Sequence, residues 1–500
     1  MKPPSGFPFL YQLGHVPGEG FANGVIDLGG GLEVCQISTF HKIWSIHEGG
    51  LDNKGASFYE PSPIPEGFYI LGCYSQSNNK KLFGWVLAGK DYEEDASNGA
   101  LKNPIDYNLV WSSESFKIKK DGNGYFWLPV PPDGYRAAGL IITNSPEKPG
   151  LDRVRCVRSD LTDKCQTDAL IWESSKHSNF QKIYSLRPSN RGTQAMGVNV
   201  GTFSCQNLSS LACLKNVKSN LSSMPNQSQI QALIQAYSPL IYMHPDEVYL
   251  PSSVKWFFTN GALLYHKGEE SSPVKIEPTG SNLPQGCLKD DTYWLDLPID
   301  EEAEETVKKG DLESTQIYLH HVGDWEHLTL RLSNFNGELE SIFFSQHSGG
   351  TWVTAPQLEF QTGSNKAVTY ASLNGHAMYA KPGLVLQGHV GSGIEISNTT
   401  TKSKMVLDTG TRYLLVAAES LQGSSSAAIV EPPWLNYKRK WGPKIDYAIA
   451  YEIKMVEKLL FFGILKTALR KLVIVLPNEV LGEEGPTGPK VKKNWDGDEL

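Results

Sequence analysis

The stretch FYEPSPIPEGFYILG, residues 58–72, decides how the first two hundred residues are read. It joins an aromatic pair to a proline turn and closes on Gly-x-x-x-x-Gly, from Gly67 to Gly72, behind Trp44. The same order returns as FWLPVPPDGYRAAG, residues 126–139, behind Trp111, with Gly134 and Gly139. It returns again as IYSLRPSNRGTQAMG, residues 183–197, behind Trp172, with Gly192 and Gly197. Pro65-Glu66-Gly67 and Pro132-Asp133-Gly134 are what a chain reversal selects, proline for its fixed φ and glycine for the left-handed position. The aromatic pairs supply the apolar area that short strands need, and each Trp reads first as core. Three such units predict an all-β repeat region over residues 20–205, either one domain with approximate threefold repetition or three beads in a row.

Outward from the repeat, a Ser/Asn-rich stretch, 206–228, reads as a linker, and residues 229–500 as a second domain. Ile230, Leu233, Ile234 and Tyr237 have helical spacing, with Pro239 closing the helix. Strand-like runs then alternate with turns. A last helical stretch, 448–471, gathers Ile453, Val456, Leu460 and Ile464 on one face beside Lys454, Lys458, Lys466 and Arg470. Such a helix packs on its domain or lies on an anionic membrane. The expected fold is mainly β: a three-unit repeat domain, then a β-sandwich-like domain with a few helices, one of them C-terminal and amphipathic.

Composition narrows the partners. Five hundred residues fit two or three domains, and 47 Gly with 30 Pro suit β structure with many turns. A formal charge of −8 argues against a nucleic-acid binder, because neutralising phosphates needs a basic face. Seven cysteines without a Cys-x-x-Cys pair fit a reducing compartment. The start, MKPPSGFPFLYQLG, lacks a signal-peptide pattern, and the best apolar run, Leu459–Leu465 between Lys458 and Lys466, is too short to span a bilayer. The expectation is a cytoplasmic protein, at most peripheral to endomembranes.

Chemistry concentrates at HHVGDWEHLTLRL, residues 320–332. Asn336-Gly337 signals a two-residue hairpin turn, which sets Phe335 against Glu338 and Glu326 opposite His347. Asp324 and Glu326 share a face by the strand period, and Gly323 offers a bend that brings His321 round. Leu328, Leu330 and Leu332 continue that face toward the core. Carboxylates at its head are costly unless a cation neutralises them. His321, Asp324, Glu326 and His347 are therefore candidate ligands of a divalent cation, with mixed oxygen and imidazole donors that suit Mg, Mn or Zn. A metal-free cluster of histidine–carboxylate ion pairs is the alternative.

The segments DNKGASFYEP, RCVRSDLTDKC, HPDEVYLPSSVKWFFTNGALLY, HVGDWEH, FSQHSGG, EPPWL and EEGPTGPK resemble the plant family of vacuolar protein sorting-associated protein 62-like proteins, also called domain of unknown function 946. The resemblance runs along nearly the whole chain and implies a link to vacuolar sorting, with no established activity. The Trp and proline-turn units are similar to the adaptor-binding region of the vacuolar protein sorting-associated protein 13 lipid-transfer proteins, which implies an adaptor peptide as partner. HVGDWEH is similar to the GHRHDWE motif of necrosis-and-ethylene-inducing-peptide-like cytolysins, β-sandwiches in which His, Asp and Glu hold a divalent cation. That likeness implies His321, Asp324 and Glu326 as ligands; His347 comes from the hairpin register. Relatives carry an extra segment between LESTQIYLH and HVGDWEH that this chain lacks, where the cytolysin pattern supplies a preceding strand and a fourth ligand.

Three functions stand as alternatives: a non-enzymatic trafficking protein that binds an adaptor or membrane, a metal-dependent hydrolase with Glu326 or His347 as general base, and a cation-dependent lipid-headgroup binder. The sequence shows no G-x-S-x-G elbow, no HExxH and no phosphate-binding glycine loop, which favours a binding protein. His244-Pro245-Asp246-Glu247 and His376 read as a loop and a core histidine.

Overall fold

The proline turns form as their residues dictate. Phe68 N–H bonds the Pro65 carbonyl at 3.1 Å across Gly67, and Tyr135 N–H bonds that of Pro132 at 3.1 Å across Gly134. Both glycines are left-handed, with φ of 80° and 81°, as the third residue of a type II turn requires. The computed structural model describes residues 20–50, 54–92, 98–174, 181–191, 195–205, 210–218, 223–285, 292–296, 323, 325–346, 349–387, 396–417, 429–442 and 486–491. The chain divides into two units: Pro17–Pro225 with Ser333–Glu338, and Met1–Val16 with Asn226–Leu332 and Leu339–Leu500. Both are mostly β.

The first unit holds β1 Val25–Gly29, β2 Leu32–Ile37, β3 Phe40–Ile46, β4 Ala56–Pro61, β5 Tyr69–Ile70, β6 Tyr74–Ser77, β7 Val86–Asp91, β8 Leu101–Lys102, β9 Asp106–Ser112, β10 Tyr125–Val130, β11 Tyr135–Arg136, β12 Ile141–Thr143, β13 Cys156–Arg158, β14 Thr162–Glu173, β15 Lys182–Pro188, β16 Gly197–Val198, β17 Phe203–Cys205 and β18 Ala212–Lys215. One plan is used three times. The Trp strand pairs the aromatic strand, which pairs a third: β3-β4-β6, β9-β10-β12, and the latter part of β14 with β15-β17. A second set of sheets repeats as β2-β7-β5, β8-β13-β11, and the start of β14 with β18-β16; β1 adds to the first of these. The stretch expected as a linker thus holds a paired strand, β18, whose buried Ala212, Cys213 and Leu214 outweigh the polar residues around it.

Each Trp strand carries a bulge one residue before its Trp. The ladders step from Lys42 to Trp44, from Leu109 to Trp111 and from Leu170 to Trp172, passing over Ile43, Val110 and Ile171. An extra residue there bends the strand and re-aims the Trp side chain beside it. The indoles meet as a result, Trp44 lying 5.9 Å from Trp111 and Trp111 6.4 Å from Trp172, ring centre to ring centre. Phe58, Phe126 and Phe203 complete this aromatic core. The second set of sheets closes on aliphatic side chains instead, among them Leu32, Leu71, Ala138, Val157, Val200 and Leu214. The loop Ser333–Glu338 belongs to this unit, with Phe335 against the aliphatic cluster and its carbonyl accepting from Gly24 N–H at 2.7 Å.

Between the units of the repeat the backbones nearly touch. A methyl on Gly72 would lie 2.7 Å from the Gly139 Cα, and one on Gly139 2.7 Å from Thr202 Cγ2, so only glycine fits at 72 and 139. Thr202 takes the third place and donates to the Ala138 carbonyl at 2.7 Å. Sequence spacing assigns that place to Gly197; Gly197 lies instead in β16, its α-hydrogen toward Pro188, because the third unit reaches the meeting point later along the chain. Gly192 is outside the described residues.

The second unit opens with helix α1, Gln227–Tyr237, as the spacing predicts. Asn226 and Gln229 cap it reciprocally, at 3.0 and 2.8 Å. Then come β19 Leu240–Tyr242, helix α2 Val254–Thr259, β20 Leu263–His266, β21 Val274–Lys275, β22 Tyr293–Asp296, β23 Leu328–Leu332, β24 Leu339–Gln346, β25 Gly349–Thr354, β26 Val368–Ala371, β27 Met378–Tyr379, β28 Gly383–Gln387, β29 Ile396–Thr400 and β30 Val406–Asp408. They form small sheets in the orders β27-β26-β19-β30, β21-β20-β22, β23-β24-β25 and β28-β29. One core gathers Tyr237, Ile241, Ile342, Phe344 and Ala371; another gathers Phe257, Phe258, Leu295, Trp434 and Trp441. The amphipathic helix expected at 448–471 lies outside the described residues. Among the described residues, no helix is long and apolar enough to cross a membrane.

Candidate functional site

The head of β23 is set by Gly323 and Trp325. Gly323 has φ 87°, and a methyl on it would lie 1.9 Å from the Trp441 carbonyl, so the chain bends here only because this residue is glycine. Trp325 then stacks on Trp434 at 5.6 Å and meets Trp441 edge-on at 5.2 Å. Leu328, Leu330 and Leu332 pack on the core of β24 and β26, the face expected of them.

The hairpin register differs from the expected one by a residue. Leu328 faces Phe344, Leu330 faces Ile342 and Arg331 faces Ser341, whereas Leu332 faces Leu339. The reversal is a longer loop, closed by Ser333 N–H on the Glu338 carbonyl at 2.9 Å, and Glu340 is an extra residue on β24. Loop and bulge together shift the ladder, so Glu326 is not carried opposite position 347. His327 faces Ser345 instead, the Ser345 N–H reaching the His327 carbonyl at 3.4 Å. Of the four candidate ligands, His321, Asp324 and His347 lie outside the described residues; Glu326 is described.

Ser345 Oγ donates to Glu326 Oε2 at 2.7 Å, a charge-assisted bond that fixes the carboxylate. The next residue, Gln346, donates from Nε2 to the Met378 carbonyl at 3.1 Å, which ties the end of β24 to β27. Beyond Met378 stands Tyr379, buried and, among the described residues, with no hydrogen-bond partner for its hydroxyl. Burial, and then the negative charge of Glu326, push the Tyr379 phenol far up. Ser345 lies in FSQHSGG, two residues before His347, and Tyr379 follows His376 by three residues, but neither position carries a signal of its own for this role.

A second cluster joins two motifs that sequence reading keeps apart. The side chain of Glu247 is wholly buried, and Oε1 accepts from Val248 N–H at 3.0 Å and Tyr249 N–H at 2.9 Å. Oε2 accepts from Asn374 N–H at 2.7 Å, and His376 Nε2 stands 3.1 Å away, outside hydrogen-bonding angles. Asn374 and His376 both have left-handed backbones, φ 65° and 54°. Residues of these types tolerate that region, and the Glu247 contacts hold them in it. HPDE and the loop around His376 thus form one latch. Among the described residues, no three His, Cys, Asp or Glu side chains are grouped as a metal would need.

A family model described as vacuolar protein sorting-associated protein 62 matches residues 4–320 and 320–499, its two segments meeting at His320, one residue before HVGDWEH. No curated protein matches the chain. Among solved structures, the crystal structure of GNIP1Aa from Chromobacterium piscinae is similar at 19% identity, with a TM-score of 0.30, over 40% of this chain and 40% of that one. A likeness at that level carries no argument about fold or function.

Proposed function

Because the chain belongs to the vacuolar protein sorting-associated protein 62 family, we propose that it serves vacuolar sorting as a non-enzymatic binding protein whose hold on a membrane surface depends on a divalent cation. The observation that carries the sorting role is the family match from residue 4 to 499. The cation reading draws on Glu326, a carboxylate that Ser345 holds in place just ahead of β23, the donor type a hard cation takes. His321, Asp324 and His347 would complete the ligand set for Mg, Mn or Zn.

The membrane reading draws on the loop that Glu247 anchors. Val248 there is 75% exposed and Leu250 63%, apolar side chains of the kind that sit at a bilayer interface, and Trp256 of α2 is 49% exposed. An adaptor peptide bound by the three-unit domain is the alternative partner.

Three measurements test the reading. Cells depleted of the protein should secrete soluble vacuolar cargo; unchanged sorting would sink the trafficking role. Purified protein should carry divalent metal that Asp324→Ala and Glu326→Ala lose, and equal metal in all three would refute the site. Flotation with phosphatidylcholine–phosphatidylserine vesicles should require added cation, and binding that ignores a chelator would exclude the cation dependence.

A further inference from the structure

Two thiols meet in the third unit of the repeat, where β14 changes partners. Residues 162–164 pair with β18, and from Cys165 onward the strand pairs with β15. Asp163 faces Cys213 across the β14–β18 ladder, and Cys165 stands two residues further along, on the same face of the strand. Cys165 Sγ donates to the Leu211 carbonyl at 3.0 Å, two residues before Cys213, and the two thiols lie within hydrogen-bonding reach of each other. Diagonal positions in a regular ladder stand wider apart than a disulfide spans. This ladder ends at Lys164 and Ala212, however, so regular pairing does not fix Cys165 against Cys213. Among the described residues, no other two cysteines lie on strands that pair with each other.

The two sulfurs are unequal. Cys165 is half-buried, whereas Cys213 is only 1% exposed. The hydrogen bond from the Cys213 thiol outweighs burial and, with the Cys165 backbone N–H, holds the Cys165 thiol below its ordinary range. The same pairing, and then burial, push Cys213 far up. Burial pushes the Cys35 thiol up to about 11 and those of Cys73, Cys156 and Cys205 up to about 12, which leaves them inert. We propose that Cys165 and Cys213 are a peroxide-sensing pair, Cys165 the thiol that peroxide oxidises and Cys213 the one that resolves it into a disulfide. The Cys165 sulfur attacks a peroxide oxygen, the O–O bond breaks, water leaves with the thiol proton, and Cys165 becomes a sulfenic acid. The Cys213 sulfur then attacks the Cys165 sulfur, the S–O bond breaks, and the hydroxide leaves as water with the Cys213 proton. The sulfurs together give up two electrons, and the peroxide is reduced to two waters. The new bond closes a loop from Cys165 to Cys213 that carries β15, β16 and β17, and it clasps β14 where its two ladders meet. In a reducing compartment such a pair rests as thiols and closes when peroxide rises.

The test treats the full chain, reduced and then freed of reductant, with hydrogen peroxide. Free thiols are blocked, and a non-reducing chymotryptic digest, which separates Cys205 from Cys213, is read by mass spectrometry. Peptides joined through Cys165 and Cys213, lighter by the hydrogens the bond expels, should appear about tenfold faster than oxidation at any other described cysteine. The oxidised chain should melt about 5 °C higher than the reduced one, and dithiothreitol should reverse both changes. Cys213→Ala should instead accumulate a Cys165 sulfenic acid that dimedone traps, and Cys165→Ser should leave Cys213 unoxidised. The digest of the native chain carries the test even where Cys213→Ala does not fold. Cys165 joined to a different cysteine, or oxidised no faster than the buried ones, overturns the inference. A native chain that stops at the sulfenic acid overturns the role of Cys213, and a linked chain that melts lower than the reduced one shows a strained bond the fold does not accommodate, which overturns it as well.

Discussion

The three-unit domain and the unit that carries Glu326 are both built of short strands, yet they specify themselves in different ways. In the first, the bulge before a Trp is written three times, and an aromatic partner with a proline turn follows it in two of the three units. Many of its long-range contacts join equivalent positions, such as Trp44 with Trp111 and Gly72 with Gly139. In the second, nothing repeats, and the decisive contacts join unrelated stretches; the Asn374 amide bonds the Glu247 carboxylate across 127 residues. Repetition spreads the information for a fold. Its absence concentrates that information in single side chains.

If that contrast is right, the largest loss in the repeat domain comes from its shared aromatic centre. Trp44→Ala should cost about 4 kcal/mol in urea unfolding of the full chain, the range for emptying a buried aromatic site. A loss below that of an ordinary surface change would mean the aromatic layer is not what closes the domain. In the other unit Glu247→Ala should cost about 3 kcal/mol, since it leaves three amides without their acceptor and Asn374 and His376 without their restraint. Near-neutral behaviour would show that the latch is not what holds those two loops.

The meeting point of the three units gives a sharper, smaller test. Gly139→Ala puts a methyl 2.7 Å from Thr202 Cγ2 and should cost about 2 kcal/mol by overpacking, while Thr202→Gly gives up one hydrogen bond and should cost about 1 kcal/mol. Equal effects, measured by the same unfolding, would mean the two positions are interchangeable after all. On the same scale as Thr202→Gly, Ser345→Ala should remove one charge-assisted bond to Glu326 and lower stability by about 1 kcal/mol, read as a shift in melting temperature.

The same contrast explains what can be read in advance. The turns at Gly67 and Gly134 derive from local chemistry, and so does α1, whose apolar spacing and Asn226 cap lie within a dozen residues. Thr202 cannot be found by spacing, because the third unit inserts extra chain before its backbone reaches Gly72 and Gly139. The β23–β24 register turns on the loop Ser333–Glu338, longer than the Asn-Gly signal predicts, and on the Glu340 bulge that no residue type announces; together they set the ladder one residue off the expected one. Tyr379 and Ser345 are invisible for another reason: a hydroxyl's role depends on what it lacks or meets in space, and neither is written beside it in the chain.

Thr202 also says something about descent and assembly. A ring of three separate identical subunits must place the same residue at its centre three times, so three threonines would collide and three glycines would leave a hollow. One chain carrying all three units is free of that rule and can choose the centre residue by residue, as Gly72, Gly139 and Thr202 do.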